Sequence, residues 1–584
     1  MWTRLSRDNA VVTACLTTPR MSLCQEVPWQ LFTEIPLHMR DNMRIIQPAA
    51  VLEFKVKCHR SGPIRSLTSF LASGLKVLYD NIAAGAMHNS KERYNSPKCH
   101  PDTRKAVLSD ITSWISDHSK KTCILWLSAP AGSGKSAILQ QIAENFYSSG
   151  GLSASFFFSR TAMKRNRDTF LIATLASQLA TSIPATKPLI EGAIERDPSI
   201  FDRVLSEQMV RLVVYPLVYA SLHPESGPPW PTLLVIDGLD ECNGGDHQAE
   251  ILRILRMALL QLRSSLPTLY LLIASRPEPA IVAVFDNELS DITHRLVLDD
   301  TYHPNRDIAV FLRSSFADIF RRRHAHFPSM SSLSRPWPPE HIISFLVQKS
   351  SGQFIFAATV IRFIDVDRRI PATQLQLILD ICGSVDSSNF ATNPFALLDE
   401  LYGHVLKSSE ETERAISILG AIFYLNGKQS PTLEFLQALL RLEPEDITMI
   451  FWDLHSIVHI PVSDKDPIRF YHASLRDFLI DRHRSCNLYI DGSKAHSFLL
   501  KMCIQTLTDF HGGSPRERTA IALEYSREYW VTHFNSGDEL DPGALDKVLQ
   551  EYHPETWDAI AFASWWNHFV FFPDRLVSVL IYLV

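Results

Sequence analysis

The sequence has no long apolar run. No window reaches the ~18 uninterrupted apolar residues that a membrane-crossing helix needs, so no membrane association is expected. The apolar end, "HFVFFPDRLVSVLIYLV", is broken by Pro573, Asp574 and Arg575 and reads as a buried helix. The early run "AVVTACL" is short for the apolar part of a secretory leader. Cysteine is sparse as well: nine in 584 residues, with no C-x-x-C pair and no regular spacing. That excludes a disulfide framework, and Cys58 and His100 fit the spacing of no common zinc site. Dispersed thiols of this kind belong to a reducing compartment, and a cytoplasmic location is expected. Charge of one sign is missing too. A net charge of −6 over this length gives no bulk attraction to nucleic acid or to an anionic membrane. The short basic runs Lys164–Arg167 and Arg321–Arg323 therefore read as solvated loops or faces. No internal period of about 20 to 50 residues is found, so no propeller, ankyrin or tetratricopeptide array is expected.

What is present is an ordinary globular composition, 46% apolar and 21% charged. The chain is too long for one core, and roughly three to five domains are expected. Residues 1–65 show no clear period and remain an unassigned extension. Helical periodicity over 66–121 reads as a lead-in containing "CHPDTR". Between 122 and 302, short apolar strands (122–128, 154–160, 232–237, 269–275, 294–300) alternate with helices (135–147, 168–183, 206–222, 247–264). That alternation predicts a parallel sheet with helices on both faces, an α/β core of the P-loop NTPase kind. A helical domain over 303–410, a winged-helix-like domain over 411–490 and a helical region over 491–584 are expected to follow. The winged-helix expectation rests on two short β-like runs around a turn in 453–475.

The chemistry concentrates in three stretches of the α/β region. In "SAPAGSGKS" the spacing is that of G-x-x-x-x-G-K-[ST], with Ala129 in place of the first glycine. Such a loop turns backbone N–H groups inward and hands an anion to a helix N-terminus. Ala131, Gly132, Ser133, Gly134, Lys135, Ser136 and Ala137 are the expected cradle, with Lys135 on the β- and γ-phosphates and Ser136 on Mg²⁺. Ala129 is compatible if its φ is negative. In "LLVIDGLDE", Asp237 ends a buried strand where a Mg²⁺-holding carboxylate belongs, and Asp240 and Glu241 follow as catalytic carboxylates, offering a second acidic position for the metal shell and a general base to orient water, Glu241 being the expected base. In "LLIASRPEP", Arg276 ends the next strand, where its guanidinium would face the terminal phosphate.

These stretches resemble the NACHT domain of the STAND class of signalling ATPases. More specifically, "GAMHNSKERYNSPKCHPDTRKAVLSDI", "FFFSRTAMKRNRDTFLIATLASQLA", "SGQFIFAATVIRFI" and "NPFALLDELYGHVL" resemble fungal NACHT proteins with a nephrocystin 3-like N-terminal module. The resemblance spans about residues 80 to 490. It implies that His100, Pro101, Thr103 and Arg104 form the adenine end of the site. It also implies that His472, in "FYHASLRDFL", touches the β-phosphate in a closed, diphosphate-bound state. The activity implied is an ATP/ADP-binding switch with Mg²⁺, slow hydrolysis and self-association, relaying a trigger to an effector. Here no sensor repeats and no known effector domain are recognised. A nucleotide-bound scaffold without switching is the alternative, and a small-molecule phosphotransferase lacks any acceptor-site motif.

Overall fold

Every strand of the central sheet but the last is buried along its whole length, as a strand covered on both faces must be. The computed structural model describes residues 11–15, 24–28, 74–94, 96–222, 230–263, 269–367, 369–384, 395–426, 431–509 and 517–537. The chain divides into two units, one of Met1–Leu71 with Asn567–Val584 and one of Ala72–Trp566. In the first, β1 (Val11–Cys15) pairs antiparallel with β2 (Cys24–Pro28). The apolar C-terminal run and the rest of the unassigned extension lie outside the described residues.

In the second unit, β3 (Ile124–Ser128), β4 (Leu152–Phe157), β5 (Leu233–Asp237), β6 (Tyr270–Ser275) and β7 (Thr293–Val297) form one sheet in the order β4-β5-β6-β3-β7. All four pairings are parallel, so the core is α/β. Side chains alternate across the sheet as strand geometry requires. Ile124, Trp126, Leu234, Ile236, Leu271 and Ile273 enter one apolar cluster, beneath helices Leu171–Ser182 and Gly245–Arg263. Leu125, Leu127, Leu233, Val235 and Leu272 enter the other, beneath helices Lys105–Ser116 and Lys135–Ser148.

Two helices were not foreseen, Lys187–Arg196 and Pro279–Asn287. The second is only nine residues long, too short to show a clear period, and it starts at proline, whose fixed φ suits the first helical turn. The expected helix 206–222 is interrupted by a π-turn over Val210–Val214. After β7 come helices Pro304–Arg323, Glu340–Ser350, Phe354–Ile364, Pro371–Ser384 and Ala396–Lys407. Helices Thr412–Tyr424, Leu433–Leu440 and Asp446–Ile450 follow. The two β-like runs become a minimal antiparallel ladder, β8 (Val458–His459) with β9 (Arg469–Phe470), leading into helix Ser474–Leu479. Helices Gly492–Asp509 and Glu517–Ser536 complete the described chain, and no helix among the described residues is long and apolar enough to cross a membrane.

Candidate functional site

Sheet register sets the site. Ser128 is level with Ser275 on the neighbouring strand, and Phe157 is level with Asp237. The loop after β3, Asp237 at the tip of β5 and Arg276 just past β6 therefore emerge at one edge, the carboxyl edge where ligands of parallel sheets bind. Because β6 lies between β3 and β5, Arg276 leaves the sheet between the phosphate-loop candidate and Asp237.

The loop has the backbone its sequence calls for. Gly132 and Gly134 take φ of 76° and 93°, in the left-handed region that glycine enters without strain. Ala129 is not among the residues with positive φ; it is buried in the apolar cluster beneath helix Lys135–Ser148. The missing first glycine thus leaves the loop unstrained. Lys135 folds back, its Nζ donating to the carbonyls of Ala129 at 2.7 Å and Pro130 at 2.9 Å, and burial pulls its pKa down. Above the loop, Ile355 N–H donates to Gly132 O at 3.2 Å and docks helix Phe354–Ile364. A Cβ on Gly132 would stand 2.3 Å from Ile355 Cγ2, so the contact admits only glycine.

A cavity of about 340 Å³ opens over this loop. Of the expected residues it is lined by His100, Thr103, Arg104, Ala131, Gly132, Gly134, Lys135, Ser136, Ala137, Asp240, Glu241, Arg276 and His472. Three others, Pro101, Ser133 and Asp237, stand off it. Pro101 is exposed, with its carbonyl accepting from the His100 ring at 2.7 Å, and Ser133 turns its hydroxyl to Pro130 O at 2.9 Å. Ser133 does contribute its carbonyl, which receives Arg104 Nη2 at 2.6 Å and steadies that guanidinium over Phe354. Asp237 is buried and lines a neighbouring space instead. Burial raises its pKa, the Ser136 hydroxyl bonds to its side chain, and its Oδ1 has no partner among the described residues.

The acids differ in what they are free to do. Asp240, expected as a catalytic acid, has one oxygen on the Arg276 N–H at 2.9 Å and the other on Arg276 Nε at 3.1 Å, so it positions the arginine. Glu241 accepts Arg160 N–H at 3.0 Å, and burial, reinforced by the charge of Asp240, pushes its pKa up to about 7. It is the carboxyl of this edge poised to exchange a proton near neutrality.

Several groups at the site were not singled out from sequence. Arg362 lines the cavity with a buried Nη1 that has no partner among the described residues, and its guanidinium sits over Tyr471 at 4.2 Å. Phe311, Phe354 and Ile355 supply an apolar wall opposite the loop. The most consequential is Asp477 on helix Ser474–Leu479. It pairs with Arg276 Nη2 at 2.9 Å and with Arg160 Nη1 at 3.0 Å, while Arg160 Nη2 also donates to Asp240 O at 3.0 Å. The pair and Asp240 hold Arg276 above its usual pKa against the pull of burial. His472 hydrogen-bonds through Nδ1 with both the N–H and the hydroxyl of Ser474, at 3.1 and 2.7 Å. Because Nδ1 accepts the N–H, the proton of the neutral ring sits on Nε2. Burial and the charges of Arg276 and Lys135 drive its pKa down to about 3, so the ring is neutral.

Residues 102–276 match the family model described as Nephrocystin 3, N-terminal. That stretch resembles the nephrocystin 3 module. The match starts inside "CHPDTR", takes in the loop and the acids after β5, and ends on Arg276. Phe354, Arg362, His472 and Asp477 come from outside it. No curated protein matches the sequence. Among solved structures, a chain of Drosophila ORC bound to poly(dA/dT) DNA and Cdc6 aligns at 11% identity over 87% of this chain and 78% of that one, with a TM-score of 0.23. A likeness that slight carries no argument about this chain.

Proposed function

We propose that the chain is a nucleotide-dependent switch of the NACHT/STAND kind, in which ADP is held under a closed C-terminal arm and ATP favours an open, self-associating form. The observation that carries this reading is the position of Asp477. One carboxylate from helix Ser474–Leu479 pairs with both Arg276 and Arg160 at the core's ligand edge. An arginine placed to meet a terminal phosphate is thereby already satisfied while the arm is down. A third phosphate and Asp477 compete for the same guanidinium. Charge-assisted hydrogen bonds made in one state alone are strong enough to bias such an equilibrium.

The residues fit a magnesium nucleotide. The left-handed glycines, the folded-back Lys135 and the helix N-terminus suit phosphates, and the unpartnered Asp237 Oδ1 beside the Ser136 hydroxyl suits a hydrated Mg²⁺. When bound, ATP with Mg²⁺ supplies the phosphoanhydride. Phe311, Phe354 and Ile355 exclude water at one end, with His100, Thr103 and Arg104 beside them. His472 offers its Nε2 hydrogen as the arm's contact to phosphate, and Glu241 is the group to take a proton from water in a slow resetting hydrolysis. This segment of ladder β8–β9 and helix Ser474–Leu479 is read as the winged-helix-like arm. In size measurements on the purified full chain, ADP is expected to give a compact species and a non-hydrolysable ATP analogue a larger one. Identical profiles, with nucleotide bound in both, would leave a static scaffold as the better description.

A further inference from the structure

A second cavity, of about 500 Å³, adjoins the first across a shared wall of Ser136, Glu241, Tyr471 and His472. Three arginines line it: Arg93 and Arg165 from the core and Arg469 from β9. Arg93 is buried, its Nε and Nη2 donating to Gln140 Oε1 at 3.2 and 2.8 Å, with its guanidinium over Phe157. Arg165 donates to Phe157 O at 3.0 Å and meets Glu92 only at 3.8 Å. Arg469 is half-buried, and its buried Nε has no partner among the described residues.

Three carboxylates, Glu92, Asp237 and Glu241, line the cavity with the arginines, but among the described residues only Glu92 comes within ion-pair reach of one of them. Glu92 is shared with Arg165, Glu241 accepts the Arg160 N–H, and Asp237 takes the Ser136 hydroxyl. Arg93 is lowered to about 9, by burial first and then by the charge of Arg165, and Arg165 is lowered by burial against the opposing charges of Glu92, Glu241 and Asp237. Guanidinium groups gathered around a roomy space repel one another unless an anion joins them.

We propose that this cavity binds a tetrahedral oxyanion of the phosphate class, with Arg469 as its open donor and Arg165 and Arg93 behind it. Two sources share that chemistry. One is the inorganic phosphate left by nucleotide cleavage on the far side of Glu241, which rests on the switch reading. The other is free phosphate from solution, which does not. At about 500 Å³ the space exceeds a bare phosphate and admits it with its water.

The probe is radiolabelled orthophosphate, measured by equilibrium dialysis against the full chain with and without saturating ADP, which blocks the Lys135 loop. One phosphate per ADP-bound chain is expected. Arg469→Gln should weaken it by about 10-fold, with ADP affinity and melting temperature unchanged, and Arg469→Lys should restore part of the loss. Equal binding without ADP identifies solution phosphate as sufficient; binding that needs ADP identifies the cleavage product. No binding to the ADP-bound chain, or binding indifferent to Arg469→Gln, overturns the proposal. If the chain binds no ADP, the switch reading fails by itself, and the Arg469 comparison on nucleotide-free protein still decides this one.

Discussion

The two cavities share a wall but are furnished differently. In the first, Lys135 is tied down by two carbonyls, Arg104 by one and Arg276 by two aspartates, and Arg362 alone of these cations keeps a buried Nη1 without a partner among the described residues. In the second, Arg469 keeps a buried Nε without a partner among the described residues. The difference teaches that the arm satisfies Arg276 in the first cavity and so opposes a terminal phosphate there, whereas Arg469 in the second is left open to an anion. Asp477 is the device in the first, since it replaces by protein the charge that a terminal phosphate would bring.

The comparison breaks most completely at Lys135. Lys135→Ala should weaken ADP and ATP by about 100-fold in calorimetric titration, while orthophosphate still enters the second cavity. Next, Asp477→Asn frees two partly buried arginines at once. Losing one partner of such a pair should cost about 2 kcal/mol, shifting the ADP-bound chain about 30-fold toward the open form. Sizing of the ADP-bound variant checks it. Gly132→Ala drives a methyl into Ile355 at a positive φ, so helix Phe354–Ile364 should lift and ADP affinity should fall by about 10-fold.

Smaller effects sharpen the same contrast. Glu241 is raised from 4.5 to about 7 in the folded chain, so the folded state holds the extra proton between those values. Its contribution to stability therefore falls as pH rises from about 4.5 to 7, and Glu241→Gln should flatten the slope of melting temperature over that window. The smallest effect belongs to Ala129→Gly. With φ not positive at this position, the added freedom should change ADP affinity by less than about 2-fold.

How far the sequence could be read depended on how local the cause was. The sheet strands announce themselves as short apolar runs between helices, and the loop, Asp237 and Arg276 sit next to strand ends, so their convergence follows from parallel topology alone. Helix Pro279–Asn287 was too short for its period to show. The engagement of Asp240 with Arg276 was not legible because it spans 36 residues and depends on β6 lying beside β5. Arg362, Phe354 and Asp477 enter the site from helices far along the chain, and nothing in their neighbourhoods marks them as polar or apolar lining rather than ordinary helix faces. The "FYHASLRDFL" stretch drew attention to His472, yet the residue five places on makes the charged contacts with the core.

The most direct test of the switch is amide hydrogen exchange across residues 469–479 of the full chain, with ADP and with a non-hydrolysable ATP analogue. The account predicts protection of this stretch with ADP and its loss with the analogue, with Asp477→Asn already unprotected in ADP. Equal protection in both nucleotides, with wild type and variant alike, would contradict it.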